Sequence, residues 1–155
     1  MRAEVIDWVK AIVAEYKPRA PVLEVGSLDV NGSVRSLFPE PYLGLDMRAG
    51  PGVDVVSNIL SMETKGGFNT VVCCETLEHI TRPWDALACM RAALDPGGLF
   101  IGTWCFNFPI HDFPCDYWRV TPEGFRYLLE QVGFCGIRID TEGEGPVGVF
   151  AVGER

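Results

Sequence analysis

The stretch Pro21-Val22-Leu23-Glu24-Val25-Gly26-Ser27-Leu28-Asp29-Val30-Asn31-Gly32, answered by Tyr42-Leu43-Gly44-Leu45-Asp46, constrains this chain more than any other part of it. An apolar run that meets an acid and then a glycine predicts a buried strand breaking into a tight turn, and Asn31-Gly32-Ser33 predicts the start of a short helix. The second apolar run ends on Asp46, twenty residues past Gly26. A βαβ unit of the Rossmann type places a carboxylate at that spacing against a ribose hydroxyl pair, so the two runs together predict a nucleoside site.

A dinucleotide site needs a second glycine where the backbone closes on a pyrophosphate, and that position here is Leu28. Its branched side chain obstructs close phosphate approach, and no Lys or Arg lies between Glu24 and Ser33 to offset phosphate charge. A ligand without phosphates is favoured. S-adenosylmethionine fits, with a ribose for Asp46, an ammonium suited to carboxylates or carbonyls, and a sulfonium that an acidic site tolerates. The acid, any residue, glycine run of Glu24-Val25-Gly26 resembles the first motif of the class I S-adenosylmethionine-dependent methyltransferases, in particular the small type 11-like members. The resemblance extends over most of the chain; Leu28 and Val30 stand where many members carry further glycines.

A chain of 155 residues predicts one domain, with residues 1–17 an N-terminal helix and 21–155 a Rossmann-like core. The formal net charge of −8 speaks against non-specific binding to nucleic acid or to an anionic membrane. The longest apolar runs are strand-sized, and Arg2, Glu4 and Asp7 stand where a signal peptide would be apolar, so the expected location is the cytoplasm. The six cysteines form no CxxC pair and read as reduced thiols; no metal site is expected from them.

Taken in order, Val5, Trp8, Val9, Ile12, Val13 and Tyr16 recur at helical steps and predict an amphipathic helix that stops before Pro18. A short helix is expected from Ser33 to Phe38, and Gly50-Pro51-Gly52 is too rich in breakers for a crossover helix. Val53 to Val56 predicts the third strand and Phe68 to Cys74 the fourth, delivering Glu75-Thr76-Leu77-Glu78-His79-Ile80 to the sheet edge. Pro83 and Trp84 open a helix expected to turn Trp84, Leu87, Ala88 and Leu94 inward and to stop at Asp95-Pro96-Gly97-Gly98, before a fifth strand over 99–104. The run from Phe68 to Gly98 resembles the fourth-strand and Pro-Gly-Gly motifs of the same family. Thr121, Pro122 and Glu123 predict the start of a helix with Phe125, Leu128, Leu129 and Val132 inward. Residues 136–140 and 147–152 are strand runs joined by too short a link for a crossover, so they predict an antiparallel hairpin. The expected fold class is therefore α/β, a Rossmann-like three-layer sandwich whose mostly parallel seven-stranded sheet ends in that hairpin. An all-parallel dinucleotide fold, and with it a nicotinamide-dependent oxidoreductase, is disfavoured by the hairpin and by Leu28.

The resemblance implies a cofactor set of Glu24, Gly26, Ser27, Asp46, Met47, Asn58, Cys74 and Glu75, with Met47 against the adenine ring and Asn58 accepting from the adenine amino group. The competing readings are Asn58 as a cap of the next turn, Met47 as an ordinary core residue, and Glu24 and Glu75 as structural caps. Methyl transfer from a sulfonium is an in-line displacement on an activated carbon, for which a base is optional. Candidate catalytic residues are His111, His79, Asp112 and Tyr117. The alternatives are a helix-start role for His79 and a loop-locking network of His111, Asp116 and Arg119. The run from His111 to Thr121 resembles a His-Pro-Asp-Tyr-Trp-Arg-Thr signature found after strand five in a subset of small methyltransferases. Trp104, Phe106, Phe108, Phe113 and Trp118 are expected either to wall a substrate pocket or to pack in the core. The reading is a methyltransferase acting on a small-molecule O or N acceptor, as a monomer or homodimer; the alternative is a non-catalytic cofactor-binding or partner-binding module.

Overall fold

The periodicities translate into layers. The computed structural model describes residues 1–63, 65–112, 114–142 and 147–155. Its elements are α1 (Ala3–Tyr16), β1 (Val22–Val25), β2 (Tyr42–Asp46), β3 (Val55–Val56), β4 (Phe68–Cys74), α2 (Pro83–Ala93), β5 (Leu94–Cys105), α3 (Pro122–Gln131), β6 (Cys135–Thr141) and β7 (Gly148–Glu154). The strands form one seven-stranded sheet in the order β3-β2-β1-β4-β5-β7-β6. Pairing is parallel from β3 through β5 and antiparallel across β5, β7 and β6. The order reverses between β1 and β4, and a crevice opens there at the carboxyl ends of the strands.

Strand alternation decides which side chain joins which layer. Leu23 and Val25, Val71 and Cys73, Phe100 and Trp104, and Val149 and Ala151 point to the face covered by α2 and α3. Val22, Val72, Cys74, Ile101, Phe150 and Val152 point to the face covered by α1, whose Val5, Val9 and Ile12 are buried against them. Trp8 pins this helix to the far edge of the sheet, donating Nε1–H to Asp140 Oδ2 at 2.8 Å and stacking its ring 5.0 Å from Phe150.

Four local expectations need correction. Between Ser33 and Phe38 only one 3₁₀ turn forms, Arg35–Leu37, because Phe38 is already extended ahead of Pro39. The third strand is two residues long: the Val53 amide closes a turn on the Gly50 carbonyl, and the Asp54 amide bonds Gly44 of β2 just ahead of the paired residues. On α2 the buried residues are Pro83, Ala86, Leu87, Met90 and Ala93, while Trp84 and Ala88 face outward. Trp84 is kept there by an edge-on contact with Trp118, ring centroids 5.6 Å apart. The fifth strand starts at Leu94 rather than Leu99, running through Asp95-Pro96-Gly97-Gly98 with a register shift against β4. Of the two readings of Trp104, core packing is the one found: it is 2% exposed and packs edge-on against Phe125. The hairpin link at 143–146 and Phe113 lie outside the described residues.

Candidate functional site

At the end of β1 the chain turns sharply. Gly26 has φ +82, a conformation L side chains rarely adopt, and a Cβ there would overlap the Thr76 side chain. Both Gly26 and Ser27 amides donate to the Leu45 carbonyl, and the Asp29 amide donates to Pro51, so the turn is laced to β2 and to the loop beyond it. Ser27 is buried beneath that loop. Asp46, at the end of β2, accepts from the Leu28 amide through Oδ2 at 3.3 Å and from the Arg48 amide through Oδ1 at 2.9 Å. Met47 beside it is 67% exposed, an apolar side chain that the core has not absorbed. Asn58 caps the turn Ile59–Ser61, its side-chain oxygen accepting from the Leu60 amide at 2.9 Å. The Cys74 thiol lies in the α1-side core, and its carbonyl takes the Thr76 hydroxyl at 2.9 Å.

Glu24 is the unusual residue of this edge. It is 3% exposed, and its Oε2 has no hydrogen-bond partner among the described residues; the Ser27 hydroxyl is likewise without one. Burial penalises the charged form and pushes its carboxyl up from 4.5 to about 7. A carboxylate oxygen left unsatisfied inside a fold costs free energy unless a donor or cation meets it.

Glu75 follows β4 in a left-handed conformation, φ +47. For a residue with a Cβ that conformation is strained, and such strain clusters at ligand sites. Its amide and Oε1 are both tied to Thr103 on β5, and its Oε2 accepts from Arg2 Nε at 3.1 Å. Arg2 reaches on to Glu142 at 2.7 Å, so its guanidinium crosses the sheet edge above β4, β5 and β7. Gly148, at the start of β7, leaves the room for that guanidinium.

The next turn, Leu77–His79, presents Glu78 and His79. Glu78 is fully buried; Oε1 accepts from the Cys105 thiol at 3.1 Å and Oε2 has no partner among the described residues. Burial, then the nearby Glu75, raises its pKa well above the usual carboxylate range. The His79 Nδ1 lies 2.7 Å from the Cys115 carbonyl, and burial lowers its pKa, in the direction of the neutral ring. His111 packs edge-on against it, ring centroids 4.9 Å apart, with its Nδ1 3.0 Å from Asp116 Oδ2. Asp116 is clamped in turn by Arg119, through bonds of 2.5 and 2.6 Å, which holds its carboxyl well below the usual range. The loop-locking network is therefore present, and it aims His111 at His79. Asp112 is exposed and Tyr117 is 49% exposed. A recess of about 280 Å³ is lined by Phe106, Phe108, Tyr117, Trp118 and Arg119 among others.

The predicted residues thus fall into two groups. Glu24, Gly26, Ser27, Asp46 and Met47 share the β1–β2 end, and Glu75, His79 and His111 share the β4–β5 end. Arg2, Thr103 and Glu78 were not predicted. Arg2 is brought in from 73 residues away, and a buried Glu looks like a surface Glu in a sequence; only the Glu-His pairing at 78–79 hinted at it.

No family profile matches the chain, and no curated protein matches it by sequence. Solved structures do. The 1,6-didemethyltoxoflavin-N1-methyltransferase of Burkholderia thailandensis, solved with S-adenosylhomocysteine, is similar at TM-score 0.76 and 17% identity, over 97% of this chain and 78% of its own. A SAM-dependent methyltransferase from Archaeoglobus fulgidus is similar at TM-score 0.67 and 17% identity, over 97% and 94%. The CurJ carbon methyltransferase is similar at TM-score 0.71 and 16% identity, and this chain spans 53% of its length.

Proposed function

We propose, from the premise that this chain has the class I methyltransferase fold, that it binds S-adenosylmethionine and transfers its methyl group to a small-molecule O or N acceptor. The observation that carries this reading is the gathering of Glu24, Asp46 and Glu75 at the ends of β1, β2 and β4, around the reversal of strand order. The residues fit the cofactor. Asp46 is half-buried and suits a ribose diol, Met47 offers an uncovered apolar surface for a flat base, and the orphaned oxygen of Glu24 suits a donor or a positive charge. Gly26, Ser27, Asn58 and Cys74 contribute shape: their polar side chains or amides are turned inward or already engaged.

When bound, S-adenosylmethionine supplies a methyl carbon activated by its sulfonium. The protein has to hold the acceptor in line and exclude water. Phe106, Phe108 and Trp118 line a recess beside the histidines that suits a small acceptor, with the half-exposed Tyr117 at its edge, while Asp112 is exposed and not among its lining residues. His79 and His111 handle the acceptor's proton: each holds its Nδ1 against a carbonyl or carboxylate oxygen, which only accepts, so Nδ1 carries the hydrogen and Nε2 keeps its lone pair. The six free cysteines suit a reducing, cytoplasmic setting, and residues 1–155 form one domain in this reading.

A donor labelled in its methyl group tests the proposal. Label should pass to an acceptor in a panel of small hydroxy and amino compounds, and His111→Ala should lower turnover more than cofactor affinity. Tight cofactor binding with no transfer across the panel would favour the second reading, a binding module that works with a protein partner. That reading has its own support: the edge strand β3 exposes Val55 and Val56, near-neighbours in sequence of the exposed Met47, and one similar structure is a Haloferax volcanii methyltransferase in complex with the Trm112 activator. No described helix is long and apolar enough to cross a membrane.

A further inference from the structure

We propose that Glu78, His79 and His111 form a binding site for a divalent transition-metal ion of the zinc type, open to an exogenous ligand on the side of the two half-exposed rings. One donor atom from each residue lies within 4.8 Å of the others. Donor atoms around a tetrahedral zinc ion stand about 3.4 Å apart, so modest side-chain rotation closes the set. Two imidazoles and one carboxylate with a vacant fourth position is a donor set suited to catalytic zinc.

Three independent features of the cluster point to a cation. The Oε2 of Glu78 is fully buried and without a partner among the described residues, although its other oxygen accepts from Cys105. A buried carboxylate with a bare oxygen is stabilised by a positive charge in contact with it. Arg119 bonds Asp116 and Arg2 bonds Glu75 and Glu142, and among the described residues neither guanidinium makes an ion pair with Glu78, although Arg119 lies near enough to feel its charge. The histidines are oriented as ligands. His79 is fixed through Nδ1 by the Cys115 carbonyl, and His111 through Nδ1 by Asp116 and the Pro109 carbonyl, leaving both Nε2 lone pairs available. Carbonyls and carboxylates holding the far nitrogen are the outer-shell partners that metal-bound histidines have. Finally, the two rings come from different segments, the turn after β4 and the loop after β5. That loop is fastened to the turn by the Tyr117 amide on the Glu78 carbonyl at 2.8 Å and by Trp118 Nε1 on the Ile80 carbonyl at 3.1 Å. Such fastening sets the His79–His111 spacing before any ion arrives.

The site adjoins Glu75, which shares Cys105 with Glu78. Its part in chemistry rests on the transferase reading above. An acceptor hydroxyl on the ion gives up its proton to water; its oxygen then forms a bond to the methyl carbon as the carbon–sulfur bond breaks and S-adenosylhomocysteine departs. With the ion bound, both Nε2 lone pairs are donated to it and cannot take a proton, so the ion replaces the proton-handling role given to the histidines above by lowering the hydroxyl's pKa. Binding of the ion needs no part of that reading.

The test is a titration of the chelator-stripped chain with Co²⁺, read by visible absorption, followed by displacement with Zn²⁺, in a Cys115→Ser, Cys135→Ser background that removes the two exposed thiols. One equivalent of Co²⁺ with a tetrahedral spectrum is expected. His79→Ala and His111→Ala should each weaken binding at least about tenfold, the loss seen even for outer-shell partners. Glu78→Gln, close to isosteric, should do the same if either Ala variant fails to fold by circular dichroism. Asp116→Asn should weaken the ion less than His111→Ala. Absence of stoichiometric Co²⁺ binding, or parent affinity retained in the folded histidine and Glu78 variants, would overturn the site. A chain that binds S-adenosylhomocysteine but no Co²⁺ keeps the transferase reading and loses the ion; the reverse result does the opposite.

Discussion

The carboxyl of Glu24 is where sequence, burial and ligand chemistry meet, and it makes a pH-dependent prediction. Its folded pKa lies near 7 against 4.5 when unperturbed, because burial disfavours the anion. The folded chain therefore holds a proton between those values that the unfolded chain has released. Its contribution to stability is complete below about pH 4.5 and is lost as pH rises through 7; a shift of this size is worth about 3 kcal/mol at most. Glu24→Gln should remove that loss. In urea melts, the stability of the parent relative to the variant should fall by up to about 3 kcal/mol between about pH 4 and 8; parallel profiles would show that Glu24 is not desolvated in solution. Asp46 makes a prediction for binding instead. Asp46→Ala should weaken S-adenosylhomocysteine by about 1–3 kcal/mol, the range for a hydrogen bond to a charged group, and unchanged affinity by calorimetry would remove it from the site. The place of Asp46 at the end of β2 was legible from spacing alone, since the distance from Gly26 is a property of the unit. Glu78 was not, because nothing local in a sequence marks which acid will be enclosed.

Among the elements, α1 and the start of α3 match their punctuation, whereas Asp95-Pro96-Gly97-Gly98 does not separate helix from strand, since β5 runs through it from Leu94. The helix α3 begins at Pro122 because Thr121 accepts from the Gly124 amide and the proline has no amide to lose. Thr121→Ala should cost about 1 kcal/mol of stability, read as a lower melting midpoint with unchanged cofactor affinity; no change in melting would show that the cap is idle. Elements whose form depends on distant partners were misread. The turn at 35–37 is held from outside, by Arg35 bonding Asp54 at 2.6 Å and the Tyr42 carbonyl at 3.0 Å, and Asp54 also takes the Gly44 amide. Those bonds do the work a crossover helix would do, and they leave β3 as a two-residue edge. The loop after β5 was read as rich in rings and, in one of two readings, as locked by His111, Asp116 and Arg119; the further bonds from Arg119 to the Phe108 and Pro109 carbonyls were not legible, because backbone acceptors leave no mark in a sequence. Of its rings, Trp104 lies before the loop, in the buried part of β5, where alternation sends it to the core.

For the whole molecule, a link too short for a crossover predicts the C-terminal hairpin and the doubly wound pattern predicts the reversal between β1 and β4, whereas the place of β7 between β5 and β6 comes from the structure alone. What the sheet then does is set a place, the crevice at that reversal, and the acids around it give the place a sign. The central claim is that this crevice takes an adenosine linked to methionine and carrying no phosphate. Titration calorimetry of the full chain with S-adenosylhomocysteine and, separately, with NADH tests it most directly. The account predicts saturable binding of one S-adenosylhomocysteine per chain and none of NADH; binding of NADH in that crevice, or no heat from S-adenosylhomocysteine, would contradict it.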